Sequence, residues 1–208
     1  RSEHPITVAS YDFLPWKRAL SVARHSPNTL LFSLSRTPER EASFHWLGTV
    51  SPYRQFFYKL KENKNVSVDS LEELKNSGFR TWVQRGSNLE TLLTTIGLVH
   101  EKDFATYTDY RKGVKMLFRN RVDMIPLTGF LARSSVCGLG YDGDAIEAVL
   151  PIDQLATPLW AAFSLDTPAD LVVAFQQAML ALRESGFQQE LITRHLRTWQ
   201  QRPCEAQH

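Results

Sequence analysis

The chain has 208 residues, 43% hydrophobic and 22% charged, a globular composition that excludes disorder and allows one large domain or two small ones. Its formal net charge is only +2, with Lys and Arg scattered among Asp and Glu, so there is no basic stripe to follow a phosphate backbone and no nucleic-acid partner is expected. No apolar run approaches the roughly 20 residues of a membrane-spanning helix, and Arg1-Ser2-Glu3-His4 carries no apolar core of a secretory signal.

In chain order, Ile6 to Tyr11 reads as a strand. Pro15-Trp16 then opens a helix with Trp16, Ala19, Leu20 and Ala23 at i, i+3, i+4, i+7. Thr29 to Leu34 is nearly all apolar, the pattern of a buried strand, and completes a β-α-β unit with a parallel sheet and a right-handed crossover. Phe44 to Leu60, rich in β-formers, reads as a long strand that crosses between lobes. Val68-Asp69-Ser70 begins a helix through Leu74, closed by Gly78 at C′.

Phe79 to Gln84 is the next strand, followed by Gly86-Ser87-Asn88 and a helix with Leu89, Leu92, Leu93 and Ile96 on one face. Ala105 to Thr108 is a weak strand, Tyr110 to Arg119 a helix with Val114, Leu117 and Phe118 inward, and Val122 to Leu127 a buried strand. Ala145 to Ile152 and Leu159 to Phe163 are further strands. Pro168 starts a long helix with the stripe Leu171, Phe175, Ala178, Met179, Leu182, stopped by Gly186, and a last helix runs from about Gln188 to Trp199. Such alternation is doubly wound α/β, a class that binds ligands beyond the carboxyl ends of its strands.

Two segments answer that description. Ser35-Arg36-Thr37-Pro38-Glu39-Arg40-Glu41 follows a buried strand and gathers two guanidinium groups with a Thr-Pro helix start, where an anion would bind. The same residues also admit a solvated turn in which Arg36 or Arg40 pairs with Glu39 or Glu41. In Gln84-Arg85-Gly86-Ser87-Asn88, Gly86 permits close backbone approach and the amides of Ser87 and Asn88 stand at a helix N-terminus; an ordinary capping turn has the same sequence.

Catalytic signatures are missing. The chain has no G-x-S-x-G, no G-x-x-x-x-G-K-[ST] and no H-E-x-x-H, and its six His are dispersed, so neither an enzyme nor a metal site is expected, and no cofactor. Leu139 to Asp144 has acidic residues in a turn but lacks the ligand count and distal Glu of a calcium loop. Cys137 and Cys204 have no metal-ligand spacing and define no disulfide framework; unpaired thiols are expected, with Cys204 in a frayed tail.

The ordered set Pro15-Trp16-Lys17-Arg18-Ala19-Leu20, Ser35 to Glu41 with Phe44 and Trp46, Ser70-Leu71-Glu72-Glu73-Leu74 ahead of the Gly86-Ser87 turn, and Asn120-Arg121-Val122-Asp123 resembles the bacterial extracellular solute-binding proteins of the polar amino-acid type, the substrate-binding components of ABC importers. The resemblance implies a two-lobed α/β periplasmic-binding-protein fold of type II, each lobe a doubly wound sheet with flanking helices. Residues 1–58 and 158–208 would form lobe one, and 59–157 lobe two. The family has a further strand and helix ahead of Ile6, so the first lobe is expected to lack them, leaving an edge open to dimerisation.

The resemblance also assigns a ligand-binding set: Arg40 clamps a carboxylate, Ser35, Gly86 and Ser87 add hydrogen bonds, and Trp16 stands with them. The family's aspartate for an α-amino group falls at Thr128, and Thr offers no negative charge. The implied function is capture of a small polar, carboxylate-bearing solute in the periplasm, with an ABC permease in the inner membrane as partner; a sensing or regulatory module of the same fold is the alternative.

Overall fold

The computed structural model describes residues 6–201 and 204. Its first sheet contains β1 (Leu30–Ser35), β2 (His45–Ser51) and β8 (Leu159–Phe163) in the order β1-β8-β2, with β8 antiparallel to both neighbours. Successive β2 side chains serve opposite faces, as strand geometry requires. Trp46 packs with Leu34, Phe44 and α1 (Trp16–His25), whereas Leu47 packs with Phe163, Val172 and Phe175, the last two from α7 (Ala169–Glu184). Of the α7 stripe, Leu171, Phe175 and Met179 reach this core; Ala178 and Leu182 stay exposed.

The second lobe is built on β3 (Gln55–Leu60), hydrogen-bonded antiparallel to β6 (Ile125–Thr128) on one side and β7 (Ile146–Pro151) on the other. A bridge from Thr81 to Met124 joins β6 to the parallel pair β4 (Thr81–Gln84) and β5 (Phe104–Tyr107). One face is covered by α3 (Leu71–Ser77) and α4 (Asn88–Thr95), whose Leu71, Leu74, Leu89 and Leu93 pack on Phe57 and Val83. The other is covered by α5 (Tyr110–Leu117) and α6 (Ala132–Cys137), through Val114, Leu117 and Val136 against Leu60 and Ile125. Both lobes thus carry helices on both faces of a sheet, the two-lobed α/β architecture.

Local signals account for many boundaries. The Ser70 side chain accepts a hydrogen bond from Glu73 N, and Gly78 closes α3 with φ 74° in the left-handed region that glycine enters without strain.

Several expectations are corrected. Residues 6–15 form no strand, and Tyr11 is 82% and Phe13 fully exposed. Their apolar pattern suits a strand, but they pair with no strand of the first sheet, at whose edge β1 stands with β8 as its one neighbour, so the predicted first β-α-β unit is not formed. The long strand from Phe44 to Leu60 is two strands in different sheets, because Pro52 cannot donate to a ladder and the chain changes lobes over Pro52–Arg54. That change falls ahead of residue 58, where the sequence reading divides the lobes. The return passes through Asp153–Leu155, and the two crossings are tied by Arg54 Nη2 to Asp153 Oδ1 at 2.8 Å.

The cysteines are not unpaired either. Past α8 (Phe187–Gln201), Cys204 forms a disulfide with Cys137 at the end of α6, with Cα atoms 4.7 Å apart. The two are 67 residues apart, and only the docking of α8 against α6 brings them together. The disulfide joins the C-terminal segment, whose helices follow lobe one, to lobe two.

Candidate functional site

Arg40 lies on the short helix α2 (Pro38–Glu41), directly after β1. Thr37 stands at the N-cap, but its side chain caps no helix N–H; its hydroxyl bonds the Glu39 carboxylate instead. The two guanidinium groups, equivalent in sequence, have separate environments. Arg36 makes two hydrogen bonds to Glu41 and its Cζ lies 4.7 Å from the Trp160 ring centroid, so it completes a surface pair and an aromatic stack. Arg40 is 8% exposed, donates from Nη1 to the Ser35 carbonyl at 3.2 Å, and lies 5.8 Å from the Trp16 ring.

Among the described residues no carboxylate stands within ion-pair distance of Arg40. Burial, and then Arg24, pull its pKa below the ordinary arginine value. Arginine remains charged in proteins all the same, so Arg40 is a desolvated cation that an anion would compensate.

Arg40, Ser35 and Trp16 open onto a cavity of about 120 Å³ whose far wall belongs to lobe two. There Gln84 ends β4 and Tyr107 ends β5, the carboxyl ends where an open α/β sheet presents ligand groups. Tyr53 enters from the crossing segment, and Gln55 from the start of β3. Burial pushes the pKa of Tyr53 and Tyr107 well up, and for Tyr107 the neighbouring Tyr53 adds to the effect, so both are neutral hydroxyls. Ser33, at a β1 bulge with φ 65°, also lines the space.

The Gly86-Ser87 turn is placed differently from its expected use. Gly86 has φ 76°; its N–H donates to the Glu90 carboxylate, Ser87 N donates to the Gln84 carbonyl, and Ser87 Oγ accepts from Glu90 N. Both amides are therefore taken up within the turn, and what Gly86 presents to lobe one is its carbonyl, which accepts from Trp16 Nε1 at 3.1 Å. The side of Ser87 and the neighbouring Asn88 line the cavity. Thr128 does not line it: it ends β6, paired in register with Gln55.

Four of the six residues singled out in the sequence, Trp16, Ser35, Arg40 and Ser87, thus share one cavity, with Gly86 bonded to its rim. Tyr53, Gln55, Gln84 and Tyr107 were not singled out, although polar residues at the ends of β4 and β5 were a usable signal. A larger hollow of about 680 Å³ runs along α8, beside Gln189, Arg194 and Arg197, but that helix has no buried residue to organise a site. Among the described residues no cluster of His, Cys, Asp and Glu is gathered to hold a metal ion.

No family model matches the chain, and neither does any curated protein. Solved structures do match. An ancestral arginine-binding protein bound to glutamine aligns with a TM-score of 0.69 at 16% identity, over 87% of this chain and 76% of that one. A histidine kinase sensor domain with similarity to periplasmic binding proteins aligns with a TM-score of 0.72 at 13% identity, over 86% and 75%. An amino acid ABC transporter substrate-binding protein from Streptococcus pneumoniae, bound to L-arginine, aligns with a TM-score of 0.65 at 18% identity, over 80% and 67%. The chain spans about two thirds to three quarters of the length of these structures, and the likeness shows the periplasmic-binding-protein fold.

Proposed function

We propose that this chain is an extracytoplasmic solute-binding protein that captures a small carboxylate-bearing solute between its lobes, acts by binding and not by turnover, and delivers the solute to an ABC permease. The observation that carries the reading is Arg40: a buried guanidinium with no carboxylate at ion-pair distance among the described residues, facing a cavity walled by both lobes. Two parallel hydrogen bonds to a ligand carboxylate would supply the missing charge. Ligand groups touching both walls would favour the closed arrangement over the open one, because a ligand shifts an equilibrium by its difference in affinity for the two states. The Cys137–Cys204 disulfide supports an oxidising compartment, the periplasm among them.

The similarity to a histidine kinase sensor domain favours a second reading, in which closure is passed to a signalling partner and not to a permease. A permease gene beside this one would favour the first reading, and a kinase segment in the same polypeptide the second.

The test compares Arg40→Ala with Arg36→Ala in native mass spectra of protein purified without refolding, followed by calorimetry with the acid that co-purifies. Losing a charge-assisted contact in a desolvated cleft costs about 1.5–3 kcal/mol, roughly tenfold to above a hundredfold in affinity. Arg40→Ala is expected to lose the bound mass while Arg36→Ala keeps it. Retention of the ligand by Arg40→Ala at parental affinity would refute the proposal.

A further inference from the structure

The charge inventory of the cavity narrows the class of ligand. Arg40 is the charged side chain on its wall, and the polar groups around it are serines, glutamines, an asparagine and the two neutral tyrosines; among the described residues no Asp or Glu lines it. The carboxylates on adjoining elements are engaged elsewhere. Glu90 on α4 accepts from Gly86 N. Asp109, at the start of α5, accepts from Arg111 N and Arg111 Nε, and touches the cavity only through its field on Tyr107. Asp153 accepts from Arg54 Nε and Nη2, and Glu39 turns to its own amide and Thr37, acting on Arg40 through space without pairing with it.

A zwitterionic α-amino acid would bring an ammonium into this space together with its carboxylate. With the carboxylate held by Arg40, the ammonium would sit desolvated, near a guanidinium and with no anion to receive it, an arrangement that burial penalises heavily. A hydroxyl or carbonyl at the same position loses little on desolvation, and neutral amide and phenol groups satisfy it. Size bounds the ligand without choosing its 2-substituent: about 120 Å³ is the share of about four waters, and it suits an acid of about six non-hydrogen atoms.

We infer that the cavity selects small carboxylates whose other polar groups are uncharged, 2-hydroxy and 2-oxo acids, and discriminates against α-amino acids of the same size. The inference rests on Arg40 acting as the carboxylate clamp and goes beyond it by naming what the rest of the pocket accepts.

Calorimetric titration of the intact protein with L-lactate, pyruvate and L-alanine isolates the difference, since the three share a carbon skeleton and differ at the 2-position. Lactate or pyruvate is expected to bind at least about tenfold more tightly than alanine. In Gln84→Glu, which places a carboxylate on the wall, alanine should gain affinity and lactate lose it, with the melting temperature reporting that the variant is folded. Alanine binding as tightly as the other two, with Arg40→Ala abolishing it, would overturn this inference and leave the carboxylate-clamp reading intact. No binding of any of the three would overturn the inference in class and size. Binding of the three that is indifferent to Arg40→Ala would overturn the inference together with the reading it rests on.

Discussion

Trp16→Phe tests whether the contact between the lobes holds the closed form. Trp16, at the head of α1, donates from Nε1 to the Gly86 carbonyl at 3.1 Å, and the side-chain carbons of its neighbour Lys17 stand 3.8 Å from where a Cβ on Gly86 would lie. Phenylalanine keeps an aromatic face for the Arg40 guanidinium while it removes the indole N–H together with part of the ring's bulk. One such hydrogen bond contributes about 0.5–1.5 kcal/mol net, so the closed-to-open ratio should fall roughly two- to tenfold. If ligand is retained only by the closed form, apparent affinity falls by up to the same factor, because it scales with the competent fraction. Solution scattering of the ligand-free protein should show a larger radius of gyration, and calorimetry with the tightest acid of the lactate panel should show the weaker binding. Unchanged scattering and affinity would refute the reasoning. Tighter binding would refute it more pointedly, by placing the indole in the ligand's own space.

Phe57→Ala empties the centre of the second lobe, where Phe57 is fully buried between β6 and β7, and should lower stability by about 3–5 kcal/mol, read from the urea midpoint. Cys137→Ser removes the tie to α8; for a loop of 67 residues the chain-entropy relation gives about 4 kcal/mol, and the parent's melting temperature should become sensitive to dithiothreitol whereas the variant's does not. The Arg36 hydrogen bond holds the Glu41 carboxyl below its usual pKa, so this pair stabilises the fold above the unfolded value and ceases to do so as pH falls through the folded one. The melting-temperature difference between parent and Glu41→Gln should therefore be present at pH 7 and vanish well below about pH 4; a difference that persists unchanged into acid would contradict the assignment.

Where a segment's structure depends on its own neighbours, the sequence was sufficient. The apolar stripes of α1, α4 and α5, the Ser70 cap, the Gly78 stop and the apolar run of β8 all place their elements within a few residues, because hydrogen bonds closing over three or four residues and a repeating apolar face are written into adjacent positions. Arg40 was also legible as one of two candidates, through its place after β1.

What depended on distant partners was not legible. Ile6 to Tyr11 has the composition of a strand, yet a strand exists only beside another, and this segment meets none in the folded molecule. α6, with Arg133, Ser134 and Ser135 at its middle, has too little apolar periodicity to be seen until Val136 finds the second core. Arg36 and Arg40 differ by four positions, and only packing decides which one meets Glu41 and two tryptophans and which is buried beside the cavity against Ser35 and Trp16. The same holds for Cys137 with Cys204, and for Gly86, whose amide turns inward to Glu90 while its carbonyl meets Trp16. Charge compensation and pairing at a site are properties of which surfaces meet, and chain-distant surfaces meet only in the folded molecule.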